Sequence, residues 1–204
     1  MSVSRETLEQ YGLNVSRETL KKLAAFELLL LAWNPKINLI GKNDIDRVVV
    51  RHLVDSLQLL PYIPPDAATA TDMGSGAGFP GLILCIASGT HFNLIESDKR
   101  KAAFLHEAVR VTGANATVCP ARVEVKPCSS ADMITSRALA NLSRLLHMAE
   151  PLLNSGGTCL FLKGAIVESE IAVARRTWSV NIEQFPSIID QSGLVLRATG
   201  IVRV

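Results

Sequence analysis

Two acidic side chains bracket a glycine-rich turn in this chain. Asp72 stands just before the run Gly74, Gly76, Gly78 and Gly81, and Glu96 ends the next apolar stretch, His91 to Ile95. The segment Thr69 to Gly81, TATDMGSGAGFPG, reads as a buried strand breaking into a turn that feeds a helix whose core face is Leu82 to Ala87. Glycines serve where backbone must turn sharply or meet a ligand closely. The free N–H groups at the start of the helix point back into the turn. The chemistry implied is nucleotide-type cofactor binding.

Two cofactors fit the spacing. Gly76-Ala77-Gly78-Phe79-Pro80-Gly81 matches G-x-G-x-x-G, with an acid about twenty residues on, so NAD is admissible. Asp72 at the strand end suits an amine-bearing or cationic ligand better than a pyrophosphate. Asp72 near a methionine amine and sulfonium, with Glu96 accepting both ribose hydroxyls, favours S-adenosylmethionine. A glycine turn that merely allows tight helix-to-strand packing is the plainest alternative.

The acceptor side is read largely by what is missing. The segment after the fourth expected strand, Ala131 to Arg137, lacks the D/N-P-P-Y/F tetrapeptide that polarises exocyclic amines. A cytosine-C5 reaction needs a thiolate; Pro127-Cys128 resembles the required pair but precedes that strand instead of following it. Guanine N7 needs neither base nor nucleophile, because its lone pair is free at neutral pH and transfer requires placement and a tuned field. Arg137 and Lys163, each at an expected strand end, are the candidates for holding phosphate or the guanine edge, where Arg to O6/N7 is the commonest base contact. A salt-bridged cation is the bland reading of each. His52 and Asp55 share a helical face, as an acid-base pair or as a helix-surface hydrogen bond. Asp98-Lys99-Arg100-Lys101 opens a helix, as a solvated face or as an RNA backbone contact.

These groups need a scaffold, and 204 residues, 48% hydrophobic and 20% charged, suffice for one core with a small extension. Net charge is +2, which permits a nucleic-acid partner without demanding one. Cys85, Cys119, Cys128 and Cys159 lack metal-ligand or disulfide-framework spacing, so no metal is expected. Phe26 to Trp33 is too short to span a bilayer and Met1 to Gln10 has no apolar signal core. A cytoplasmic protein with reduced thiols is expected.

VSRETL occurs twice, at Val3 to Leu8 and Val15 to Leu20, as two helix starts with Ser and Glu in capping-box-like spacing. The second leads a helix over Arg17 to Ala32 that Trp33-Asn34-Pro35 is expected to end. Asn43 or Asp44 is expected to cap another, carrying Val48 to Leu60. Pro61 and Pro64-Pro65 mark the boundary between an N-terminal helical cap, 1–65, and a catalytic domain, 66–204. Beyond it we expect strands near 69–73, 91–96, 116–120, 131–136 and 158–163. Helices are expected near 80–88, 98–112, 140–153 and 164–176, and two closing strands at Ile182 to Phe185 and Leu194 to Val204. Such alternation predicts an α/β fold, a class I methyltransferase (Rossmann-like) sheet of seven mostly parallel strands with helices on both faces and an N-terminal helical extension.

The chain also resembles the bacterial 16S ribosomal RNA guanine-N7 methyltransferase family, also called glucose-inhibited division protein B. The resemblance runs from about Leu23 to Val204. It rests on Trp33 to Leu39, Arg51-His52 with Asp55-Ser56, the loop ending Phe79-Pro80-Gly81, Glu96 to Arg100 with Phe104-Leu105, Ala121 to Glu124, Ser136-Arg137-Ala138 and Leu162-Lys163-Gly164. It implies that S-adenosylmethionine contacts Gly74 and Phe79, lies with its adenine near the backbone of Val123-Glu124, and has Arg137 beside the methyl. It further implies a guanine of 16S rRNA as substrate. Lys99, Arg100, Arg122, Arg137 and Lys163 are the expected RNA contacts, and a monomer acting on the small subunit or an assembly intermediate is expected. Val125 and Ile40 depart from the family pattern where a second acid, and Thr or Val, are common.

Overall fold

The computed structural model describes residues 2–125, 128–164 and 166–204. Seven strands form one sheet: β1 (Thr69–Met73), β2 (His91–Ile95), β3 (Ala116–Cys119), β4 (Ala131–Arg137), β5 (Leu153–Lys163), β6 (Trp178–Pro186) and β7 (Leu194–Arg203). Their order is β3-β2-β1-β4-β5-β7-β6. The first five run parallel and β7 is antiparallel to both neighbours. Helices cover both faces, as expected of crossover connections.

One face carries α4 (Gly81–Ser88) and α5 (Lys99–Thr112), packed against α2 (Arg17–Ile37) through Leu23, Phe26, Leu30, Leu82, Phe104 and Leu105. The short α1 (Arg5–Glu9) adds Leu8 to this cluster. The other face buries Met73, Ile134 and Phe161 beneath α6 (Leu142–Ala149) and α7 (Val167–Ala174). The hydrophobic core thus runs continuously across position 65. No helix among the described residues is long and apolar enough to cross a membrane.

Both VSRETL copies start helices. The Ser4 and Ser16 hydroxyls accept from the Thr7 and Thr19 amides at 3.2 and 3.0 Å. The residue three after each cap is Thr, not Glu, and it meets the Ser through its own hydroxyl at 3.0 Å. Helix α2 runs through Pro35 to Ile37 instead of ending at Trp33-Asn34-Pro35. The left-handed Asn38 closes it, its amide donating to the Asn34 carbonyl, while the Asn34 side chain accepts from the Ile40 amide at 2.9 Å. Pro35 gives up its own amide bond one turn before this end, so the helix forgoes one bond there.

The segment expected as one helix capped at Asn43 or Asp44 is a 3-10 turn (Lys42–Arg47), a π-helical turn (Val49–Val54) and a single α turn, α3 (Asp55–Leu57). Its N-cap is Gly41 and no side chain caps it. Alpha-helix also stops at Ala149 instead of running to 153, and β5 starts at Leu153 instead of 158. The register slips between Ala131/Leu153 and Met133/Thr158, so residues 154–157 bulge out of the ladder.

Candidate active site

Four parallel strands end along one edge of the sheet, and the residues just beyond them meet in one place. Gly74 and Gly76 follow β1, Glu96 and Ser97 follow β2, Ala121 to Glu124 follow β3, and Leu139 and Ala140 follow β4. They line a first cavity of about 360 Å³. It lies at the carboxyl ends of strands where the strand order reverses between β1 and β4, the place where open α/β sheets take ligands.

Glu96 organises the rim. Its Oε2 accepts from the Gly76 amide at 2.8 Å and its Oε1 from the Asp98 amide at 2.7 Å. Asp98 in turn caps α5 by accepting from the amides of Arg100 and Lys101. A carboxylate has about four acceptor sites, so two remain for hydroxyls in the cavity. Gly74 and Gly76 both have left-handed backbone, at φ 71° and 57°. A Cβ at Gly74 would lie 2.8 Å from Leu139 Cδ1, whereas at Gly76 the nearest atom is 3.9 Å away, leaving open space for a ligand.

A bridging cavity of about 240 Å³ shares Gly74 and Gly76 with the first and is closed by Leu39, Ile40, Gly41 and Phe79. It shares His52, Arg137 and Ala138 with a second cavity of about 380 Å³ that opens between α3 and residues 187–194. The bridging cavity therefore shares walls with both of the others. Ala138, at the junction, holds a left-handed φ of 52°, strain of the kind that concentrates at working sites.

Phe79 is covered by His52 and Arg137. His52 stacks on it at 4.8 Å with the rings 19° apart, and the Arg137 guanidinium lies 5.0 Å from the ring centroid. Burial, helped by Arg137, pushes the His52 imidazole down to about 4, so it is neutral at pH 7. Arg137 Nη1 donates to Asp55 Oδ2 at 3.1 Å and to the Arg51 carbonyl at 3.2 Å. His52 and Asp55 therefore form no pair with each other. The π-helical turn aims His52 at Phe79 and Asp44, and Asp55 at Arg137.

Several expected site residues take other places. Asp72 is 0% exposed and lines none of the three cavities. It faces the first residue of α4: a Cβ on Gly81 would lie 2.3 Å from Asp72 Cβ and 2.7 Å from Oδ2. Its Oδ1 accepts from the Thr135 hydroxyl at 2.7 Å, and its Oδ2 has no partner among the described residues. Asp72 is thus covered by the start of α4. Gly78 is likewise a packing glycine, at φ 92°, where a Cβ would meet Leu82 at 3.0 Å.

Lys163 lines the second cavity but its charge is already paired. Its Nζ meets Glu170 at 2.6 Å and donates to the Ala140 carbonyl at 3.0 Å, with both side chains of the pair about 10% exposed. Glu170 also accepts from the Leu142 amide, so the pair ties α7 to the start of α6. Of the two readings of Lys163, the geometry shows the salt-bridged cation. Lys99 and Arg100 are exposed on the first turn of α5, outside the cavities, whereas Arg122 and Lys101 line the first. Cys128 touches Thr71 in mid-β1 at 3.8 Å and lines none of the three cavities, which leaves it no acceptor to attack. Pro127 lies outside the described residues. Gly41, Leu139 and Arg144, which pairs with Glu124 at 3.4 Å, had no readable signal as site members.

Burial pushes the Asp72 carboxyl up to about 6, against the hydroxyl of Thr135. Raising a carboxyl above its unfolded value favours the folded state most at low pH. The contribution is complete below about 3.8 and is lost as pH rises through about 6. A displacement of that size corresponds to about 3 kcal/mol at most. The stability of the wild-type protein minus that of Asp72→Asn should therefore rise as pH falls from 7 to 4, measured by chemical denaturation; a flat difference would remove the shifted carboxyl.

Comparisons place these features among known proteins. Residues 19–192 match the family model described as rRNA small subunit methyltransferase G. The chain is similar to the ribosomal RNA small subunit methyltransferase G of Rhodospirillum centenum, 49% identical, over 97% of this chain and 91% of that protein. It is 48% identical to that of Gluconobacter oxydans, over 93% and 98% respectively. In structure it is similar to M. jannaschii TYW2 in complex with AdoMet, with TM-score 0.58, 14% identity and 83% and 80% of the two chains covered. Ribosomal protein L11 methylase of Lactobacillus delbrueckii gives TM-score 0.58 at 13% identity, covering 72% and 77%. The fold is the seven-stranded class I methyltransferase sheet.

Proposed function

The chain belongs to the rRNA small subunit methyltransferase G family, and from that premise we propose that the first and bridging cavities take the methyl donor while the second takes the acceptor base. The enzyme transfers a methyl group from S-adenosylmethionine to N7 of a guanine in 16S ribosomal RNA. The observation that carries the site assignment is that the bridging cavity shares Gly74 and Gly76 with the first cavity and His52, Arg137 and Ala138 with the second.

The residues fit the donor. The spare lone pairs of Glu96 face the space beside Gly76, matching a ribose diol, with the Val123-Glu124 turn on the far wall for adenine. S-adenosylmethionine supplies an electrophilic methyl on a sulfonium, and the protein's task is placement. Phe79 and the Leu39 to Gly41 wall narrow the bridging cavity and exclude water. His52, neutral at pH 7, adds no charge beside a cationic donor. Arg137 keeps donors for guanine O6. Asp72 acts from beneath, by fixing the start of α4 and with it Phe79.

Lys99, Arg100 and Arg122, all exposed, are read as phosphate contacts around the donor end, for which affinity falls steeply with salt. We assign residues 1–65 as a helical cap on the 66–204 catalytic unit, acting as a cytoplasmic monomer on the small subunit or an assembly intermediate. N7 methylation leaves a positive charge on the base, so borohydride followed by aniline should cut treated 16S rRNA at one position. A methylated adenine or cytosine, or N2-methylguanine, would overturn the acceptor. An assembly factor without catalysis would bind the rRNA and leave it uncut.

A further inference from the structure

We propose that the Arg137–Asp55 pair reads the base edge of the acceptor guanine, with Asp55 as the specificity-determining residue. The inference rests on the second cavity being the acceptor site.

Arg137 and Asp55 line that cavity together, and each side chain is 20% exposed. Arg137 Nη1 is engaged by Asp55 Oδ2 and the Arg51 carbonyl, and the hydrogens on Nη2 and Nε meet no protein acceptor among the described residues. Asp55 Oδ1 accepts from Gln58 Nε2 at 2.7 Å, and each carboxylate oxygen keeps a further acceptor site. A cationic donor and an anionic acceptor therefore stand 3.1 Å apart, facing one space large enough for a base.

Guanine presents the acceptor O6 beside the donors N1–H and N2–H₂. Adenine presents the reverse, a donor at N6 beside an acceptor at N1. The pair complements guanine and opposes adenine at both atoms, and a base taken out of its stack is read along this edge. The arrangement also addresses a conflict within the reaction. Arginine commonly forks across O6 and N7, which would occupy the reacting lone pair. Held by Asp55 and the Arg51 carbonyl, the guanidinium is drawn toward the O6 and N1 side, leaving N7 free to face the bridging cavity.

The test uses small-subunit particles reconstituted with 16S rRNA in which the target guanosine is kept or replaced by inosine, adenosine or 7-deazaguanosine, with single-turnover transfer as readout. Inosine lacks only the 2-amino group. With the wild-type protein it should react about 5- to 100-fold more slowly than guanosine, the range of a good base contact, and adenosine more slowly still. Asp55→Asn should slow guanosine by a similar factor and bring the guanosine-to-inosine ratio close to one, while calorimetric S-adenosylmethionine affinity stays within about threefold. Asp55→Glu should recover part of the discrimination. Equal wild-type rates on guanosine and inosine would overturn the assignment without any variant, and so would an unchanged ratio in a folded Asp55→Asn. Methylation of 7-deazaguanosine would instead overturn N7 as the acceptor, separating the failure of that reading from the failure of this one.

Discussion

Replacing Glu96 by Ala should lower the affinity for S-adenosylmethionine by about 10- to 100-fold. The carboxylate serves the cavity and the loop at once, since both oxygens already accept backbone amides, from Gly76 and Asp98. Its remaining lone pairs are the ones facing a ribose. Hydrogen bonds to a charged group contribute about 1.5 to 3 kcal/mol each, and about 1.4 kcal/mol is tenfold in binding. The same substitution leaves two amides without their acceptor, so the turn should loosen and the entropy of binding should become less favourable. Glu96→Gln keeps one good acceptor and should fall between the two. Calorimetry giving wild-type affinity for Glu96→Ala would take this residue out of the site.

A larger effect on stability is expected from one methyl group. In Gly81→Ala the new Cβ would fall 2.3 Å from Asp72 Cβ and 2.6 Å from its Cγ, atoms of a fully buried side chain that cannot swing aside. The start of α4 must lift, and Phe79 and Pro80 precede it directly, so the bridging cavity should lose its wall. Overpacking of this kind costs about 2 to 4 kcal/mol, or about 10 °C in melting temperature for a chain this long. Methyl transfer should fall with it. Gly89, just past the other end of α4, provides the control. Its backbone is left-handed, at φ 77°, but a Cβ there would have nothing within 4 Å, so Gly89→Ala bears only the backbone strain. Melting temperatures within about 2 °C for wild type and Gly81→Ala would show that α4 is not seated on Asp72.

The glycine turn and Glu96 were legible because their geometry is local or nearly so. Glycine spacing sets the backbone path whatever surrounds it, and an acid ending the neighbouring parallel strand must come up beside the turn. Arg137 was legible for the same reason, as the last residue of β4, next to β1 in the sheet. The direction of Asp72 was not. A strand end presents alternate residues to opposite faces, and only the seating of α4, with Gly81 pressed on Asp72 Cβ, decides that this carboxylate is covered.

Lys163 shows the same limit for charge. A lysine at a strand end reads equally as a ligand contact or a salt-bridged cation until α7 delivers Glu170 to 2.6 Å. Pro35 reads as a helix stop, yet the helix runs on to Ile37 and is closed at Asn38 by bonds to Asn34.

The sequence alone determined the alternation of strands and helices, the family, the donor turn and the chemistry left for the acceptor, because periodicity, glycine spacing and the absence of a base or thiolate are properties of short stretches. The tertiary structure alone decided which charges remain available. Arg137 and Asp55 lie 82 residues apart and Lys163 and Glu170 are brought together across a turn, and whether an ionic side chain is taken up by a neighbour or left facing a cavity depends on packing between elements that no local pattern encodes.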